Sequence, residues 1–251
     1  MSGHSKWSSI KHKKGAADAK RGQLFSKLSR AIIVAAKEGG PDSTANLALA
    51  NAIEKARSYS MPKDNIERAI AKGSGADADG SNFETVIYEG YGPEGVAVLV
   101  EALTDNRNRT ASEVRHLFAK FGGNLGTTGA VAWQFERKGV VLVPAADVDE
   151  DALVLTAAEA EAEDVELDGS TFVVTTAPEA LSAVRSAVED AGFSVESVEL
   201  AMIPKATVAI GDESVARSLV RLVEGLEEAD DVQDVYANFD IPETLLEAVV
   251  A

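Results

Sequence analysis

The sequence predicts an α+β protein, and two observations carry that prediction. Apolar residues recur at helical spacing through residues 16–73, and from residue 83 onward short β-branched and aromatic runs alternate with helical stretches. Mixed sheets with helices on one face are the expected result. A third observation bounds the domain count: 251 residues, 45% of them apolar, suffice for two or three cores of ordinary size.

The chain opens on Ser2-Gly-His-Ser-Lys-Trp-Ser-Ser-Ile-Lys-His-Lys-Lys-Gly15, a basic arm with one aromatic residue, Trp7. Residues 1–38 hold nine Lys and Arg against Asp18 and Glu38, a segment charge of +7, which leaves −24 for the rest of a chain whose net charge is −17. Charge sorted this sharply points to an anionic partner at one end and a solubilising body elsewhere. Nucleic acid is the first candidate, since Lys and Arg pair with phosphates and Trp7 offers a face on which a base stacks. A frayed basic tail is the bland alternative, and an apolar side chain as large as Trp argues against it.

Between Ala16 and Glu38, Leu24, Leu28, Ala31, Ile32 and Ala35 mark the buried stripe of a first helix, and Lys20, Lys27, Arg30 and Lys37 share an adjoining arc. Gly39-Gly40-Pro41 ends this helix, and Asp42 or Ser43 is positioned to cap the next, whose stripe is Leu49, Ala52, Ile53 and Ala56. Pro62 falls in the first turn of a third helix through Ile66, Ala69 and Ile70, closed by Gly73. Residues 73–82 lack any large apolar side chain and read as a linker or long turn.

Phe83 to Tyr91 and Val96 to Leu103 read as strands joined across Gly92-Pro93-Glu94-Gly95, and the unbroken apolar run Val96–Val100 predicts a central strand. The polar segment Thr104–Thr110 then precedes a helix reaching Phe121. Its Asn106, Arg107 and Arg109 are secondary candidates for a phosphate site; alternatively the Asp and Asn cap the helix and the arginines pair with carboxylates. Residues 122–129 contain four glycines. They lack both the strand–glycine–helix order of a dinucleotide site and the Lys-Ser/Thr of a P-loop, so tight turns account for them better.

Val131–Phe135 and Val140–Val143 read as a hairpin about Glu136–Gly139. No Lys or Arg occurs between Lys138 and Arg185, while residues 147–168 carry ten carboxylates, Glu161 and Glu163 among them, read as solvated charge. A helix at 150–161, strands around Val165 and 172–175, a helix at 178–191 and a strand at 195–201 complete this acidic unit. After Pro204, strands at 206–210 and 232–239 around a helix at 213–226 are expected to finish the sheet begun at Phe83, with a terminal helix at 241–250.

Several function classes find no support. There are no cysteines, and His4, His12 and His116 are too scattered for a metal site. No acid, base or nucleophile is positioned for catalysis, so we expect no enzyme, no cofactor and no metal. The chain has no apolar run long enough to span a bilayer and no signal-peptide pattern, which predicts a cytoplasmic protein without a membrane partner.

The opening Gly3-His-Ser-Lys-Trp motif, Met61-Pro-Lys-Asp-Asn-Ile-Glu-Arg-Ala-Ile, Tyr88-Glu-Gly-Tyr-Gly-Pro, Thr104-Asp-Asn-Arg-Asn-Arg-Thr, Gly122-Gly-Asn-Leu-Gly with Trp133-Gln-Phe, and Asp230-Asp-Val-Gln-Asp-Val-Tyr-Ala-Asn-Phe-Asp-Ile together resemble the YebC/PmpR family. The matches run in order over nearly the whole chain. The resemblance implies a helical N-terminal domain followed by two α/β domains, one inserted in the other: residues 1–76, then 83–130 with 205–251, then 131–204 as the insert. Bacterial members are described as probable DNA-binding transcriptional regulators. Mitochondrial relatives resemble translational activators of a respiratory-chain subunit, and some bacterial members are linked to ribosomes translating proline-rich stretches.

The expectation is therefore a non-enzymatic nucleic-acid-binding regulator of gene expression that contacts DNA. The alternative is an RNA- or ribosome-binding factor that relieves stalling or activates particular messages, with ribosomal or transfer RNA as its target. The absence of a helix-turn-helix signature favours that alternative on physical grounds alone. Lys6, Trp7, Lys11, His12, Lys13, Lys14, Lys20, Arg21, Lys27 and Arg30 are the expected nucleic-acid contacts. Oligomeric state is left open, with a monomer as the default.

Overall fold

The predicted apolar stripes pack on one another. In the computed structural model, which describes residues 18–75 and 83–250, helices α1 (Asp18–Gly39), α2 (Leu47–Ser58) and α3 (Lys63–Ser74) bring Leu28, Ile32, Leu49, Ile53, Ile66 and Ala69 into one core. Asn46, rather than Asp42 or Ser43, caps α2. Its side chain accepts from the Leu49 N–H at 3.1 Å and donates to the Ala35 and Gly40 carbonyls at 2.8 Å each, so one amide satisfies groups on both sides of the turn. Asp42 instead accepts from the N–H and hydroxyl of Thr44. Gly73 does not end α3 but lies within it. A Cβ there would stand 2.4 Å from the Ile33 carbonyl oxygen, so the glycine permits α1 and α3 to touch.

The rest of the described chain is built on two four-stranded antiparallel sheets, with one short parallel pair beside them. β1 (Glu84–Tyr91) and β2 (Ala97–Thr104) form a hairpin, β3 (Asn124–Leu125) flanks β1, and β9 (Val232–Ala237) flanks β2, so β2 is central. The second sheet has the order β5-β6-β4-β7, from β4 (Phe135–Pro144), β5 (Ala162–Asp168), β6 (Thr171–Thr176) and β7 (Ser197–Pro204). All four of its strands fall between β3 and β9 in the chain.

Two local expectations are corrected. Glu136–Gly139 is not a turn but the middle of β4, which pairs with β7 continuously from Phe135–Pro204 to Leu142–Ser197. Gly139 serves close packing there, since a Cβ would stand 2.8 Å from Thr176 Cγ2 and 2.9 Å from Leu181 Cβ. β8 (Val208–Ala209) does not join the first sheet either; it pairs in parallel with β10 (Phe239–Asp240).

Period-two alternation sorts the strands into layers. Val98 and Val100 face α4 (Arg107–Lys120), α7 (Glu213–Glu228) and α8 (Glu243–Val250). Ala97 and Leu99 face the second sheet, meeting Phe135, Val140 and Leu142. Val141, Val143 and Val174 in turn face α5 (Glu150–Glu159) and α6 (Leu181–Asp190). The order is helices, sheet, sheet, helices. Each fully buried Val or Leu contributes about 1.5–3 kcal/mol, and β2 contributes on both faces, which is why its sequence lacks alternation.

Candidate nucleic-acid interface

Gln23, Lys27 and Arg30 stand at positions i, i+4 and i+7 of α1 and so form one stripe. This stripe faces the turn between α7 and β9. Lys27 Nζ donates to the Glu227 carbonyl at 2.6 Å, and Gln23 Nε2 donates to the Glu228 carbonyl at 2.7 Å and to Asp230 Oδ1 at 2.9 Å. Arg30 Nη1 donates to the carbonyls of Asp230 and Leu103 at 3.0 and 3.3 Å and to Asp231 Oδ1 at 3.1 Å. Its guanidinium also lies 5.1 Å from the centroid of the Phe83 ring.

Two of the predicted phosphate ligands, Lys27 and Arg30, thus hold the helical unit on the body. Arg21 is exposed on α1, 5.6 Å over the Phe25 ring. Lys6, Trp7, Lys11, His12, Lys13 and Lys14 lie outside the described residues, as does the side chain of Lys20.

Asp231 organises the junction. Its side chain is 4% exposed, and beyond Arg30 it accepts from Arg109 Nη2 at 2.6 Å and from the Thr110 and Thr104 hydroxyls at 2.7 and 3.1 Å. Burial opposes its charge, but the hydrogen bonds from Arg109, Thr110 and Thr104 outweigh burial and hold the carboxyl below the usual Asp range. Two more ion pairs anchor α2: Lys55 meets Asp234 of β9 at 2.5 Å, and Glu54 meets Arg185 of α6 at 2.6 Å. Burial works against the Lys55 charge, yet Asp234 and Glu199 dominate and raise its pKa.

The polar segment before α4 is used inside the fold. Asn106 Oδ1 accepts from the Arg109 N–H at 3.1 Å and caps the helix. Arg109 also meets Asp105 at 2.9 Å, and Arg107 stands 3.6 Å from Glu84. A cleft of about 430 Å³ opens here, lined by Arg30, Phe83, Asp105, Arg109, Glu113, Asp230 and Asp231. Four carboxylates against two guanidiniums make it unfavourable to phosphate.

The glycine loop already holds an anion, and the anion is the protein's own. Glu89 of β1 is buried, and its Oε1 accepts from the Gly129 N–H at 2.6 Å while Oε2 accepts from Val131 and Ala132 at 2.7 Å each. Burial pushes this carboxyl up, and the three backbone bonds together pull it below the ordinary Glu range. Sequence reasoning misses both Asp231 and Glu89. Their only signal is membership of the quoted Asp230-Asp and Tyr88-Glu-Gly-Tyr motifs.

Among the described residues no three His, Asp or Glu side chains gather as a metal would require, and no helix is long and apolar enough to cross a membrane.

Comparison with known proteins now adds to this geometry. A model described as the TACO1/YebC protein N-terminal domain matches residues 5–76, and one described as the TACO1/YebC second and third domain matches residues 83–239. The chain belongs to the TACO1/YebC family. This TACO1/YebC chain is 60% identical over 249 residues to a probable transcriptional regulatory protein of Rubrobacter xylanophilus, covering 99% of each chain. It is 55% identical over 247 residues to a protein of the same description from Desulfotalea psychrophila, covering 98% of each. The crystal structure of a conserved hypothetical protein from Aquifex aeolicus superposes with a TM-score of 0.81 at 52% identity, over 90% of this chain and 93% of that one. The resemblance drawn from the motifs holds, and with it the α+β class.

Proposed function

We propose that this chain is a non-enzymatic, nucleic-acid-binding regulator of gene expression that works in the cytoplasm. The observation that carries the reading is the +7 charge of residues 1–38 in a chain of net charge −17. The description of the bacterial relatives as probable transcriptional regulatory proteins supports the regulatory role. On this reading Lys6, Trp7, Lys11, His12, Lys13, Lys14, Lys20 and Arg21 meet the nucleic acid, while Lys27 and Arg30 position the module that carries them.

One observation favours RNA or the ribosome over duplex DNA. The acidic unit exposes Val154, Leu155 and Leu167 amid its carboxylates, a surface suited to a basic protein bound beside RNA rather than to a bare duplex.

Changing Lys11, Lys13 and Lys14 together to Glu tests the reading. The expected outcome is weaker binding, with the slope of log affinity against log salt flatter by about 2 for single strands, at roughly 0.7 per phosphate contact. An unaltered slope removes the arm from the mechanism. Co-sedimentation of the wild type with ribosomes, set against footprinting on DNA, separates the two targets.

A further inference from the structure

Trp133 is 68% exposed, although it stands between Val131 and Phe135, which are both buried in the seam between the sheets. A 3-10 turn at Ala132–Gln134 rotates the indole outward. Leaving so large an apolar surface in water is unfavourable, yet hydrogen bonds on both sides of the turn hold it there. The indole Nε1–H donates to the Ala130 carbonyl at 3.2 Å. Glu89 fixes the N–H groups of Val131 and Ala132, the residues just before it. On the other side, the Gln134 carbonyl accepts from the Lys205 N–H at 2.8 Å, and the Gln134 side chain accepts from Asn238 Nδ2 at 3.3 Å. The ring is thus presented in one orientation by a braced loop.

The charge around it is equally specific. Residues 124–134 contain no charged side chain, in a protein with 41 Asp and Glu. The nearest cation by register is Lys205, opposite Gln134 at the end of the β4–β7 pair, and it is exposed; Arg137, farther along β4, acts instead on Glu101 and Tyr236. Lys205 is close enough to lower the pKa of Glu136, after the larger effect of Lys138. An outward aromatic ring beside an exposed cation, on an otherwise acidic body, is what an unpaired base and its phosphate require.

We infer that Trp133, with Lys205, is a second contact for single-stranded nucleic acid, in which the indole stacks on an unpaired base. This site belongs to the body, at the seam of the two sheets, and is separate from the N-terminal arm. It rests on the nucleic-acid reading above and extends it: a strand held by the arm is also gripped by the body. Because the ring is already braced, little ordering opposes stacking.

The chain has two tryptophans, Trp7 and Trp133, so the test is direct. The affinity of a labelled short oligouridylate is measured by anisotropy for the wild type, Trp133→Ala and Trp133→Phe. A stacked base predicts about a tenfold loss in Trp133→Ala and substantial recovery in Trp133→Phe. In a Trp7→Phe background at saturating oligouridylate, the remaining indole emission should be quenched. Unchanged urea midpoints would keep the comparison free of folding effects, as expected for an exposed side chain. Wild-type binding with neither quenching nor a loss in Trp133→Ala overturns this inference alone. Failure of the wild type to bind the oligonucleotide, ribosomal RNA and DNA alike overturns the proposed function and this site with it; binding to duplex DNA alone overturns this site only.

Discussion

Arg30 on α1 and Asp231 just ahead of β9 are 201 residues apart in sequence and 3.1 Å apart in space. Arg109 approaches the other oxygen of the same carboxylate at 2.6 Å. One buried aspartate therefore joins the helical unit, the start of α4 and the last strand of the first sheet.

Replacing Asp231 by Asn should cost about 1.5–3 kcal/mol, the usual worth of hydrogen bonds to a charged group, read as a lower urea midpoint. The pH dependence follows from the sign of the shift. Asp231 has a folded pKa below its unfolded value, so its contribution is complete above the unfolded value, near 4, and is lost as pH falls through the folded value. Asp231→Asn should flatten that acid limb of the stability curve. An acid limb identical to the wild type would show that Asp231 is not ionised in the native state.

Truncating Glu89 to Ala leaves the N–H groups of Gly129, Val131 and Ala132 without their acceptor. An unsatisfied buried donor costs about 1–3 kcal/mol. We expect destabilisation in that range or above, with amide exchange at these three residues accelerated before exchange in β2. Equal protection in mutant and wild type would mean that other acceptors replace the carboxylate.

The double change Lys27→Ala and Arg30→Ala should loosen the helical unit without melting it. The core of α1, α2 and α3 is built from their own residues and Met61, whereas α1 meets the body through hydrogen bonds and ion pairs. Solution scattering should show a larger radius of gyration, while the far-ultraviolet circular dichroism stays constant. Lost helical signal would instead show that the unit depends on the body for its fold.

Gly73→Ala should destabilise the helical unit by about 1–3 kcal/mol, the usual cost of overpacking, despite the better helix propensity of alanine. The added methyl would stand 2.4 Å from the Ile33 oxygen and 2.8 Å from Ala36 Cβ. A gain in thermal midpoint would show that α1 and α3 separate easily.

The local elements are legible in the sequence because their causes are local. The stripes of α1–α3 and the central position of β2 follow from the spacing of apolar residues, and the charge segregation is a matter of counting. Glu136–Gly139 is misread because its charges and glycine imitate a turn; only Thr176 and Leu181, brought against Gly139 by the fold, show why a glycine is needed inside a strand. The same limit governs the site. Lys27 and Arg30 carry the same charge as Arg21 on the same helix, and nothing in the helix distinguishes them. The distinction comes from carbonyls and a carboxylate about 200 residues further along the chain. By itself the sequence determined most of the elements, the family and the segregation of charge along the chain. The tertiary structure decided which charges face solvent and which the fold neutralises, because a side chain's partner is set by proximity in space, which residue spacing along the chain does not encode.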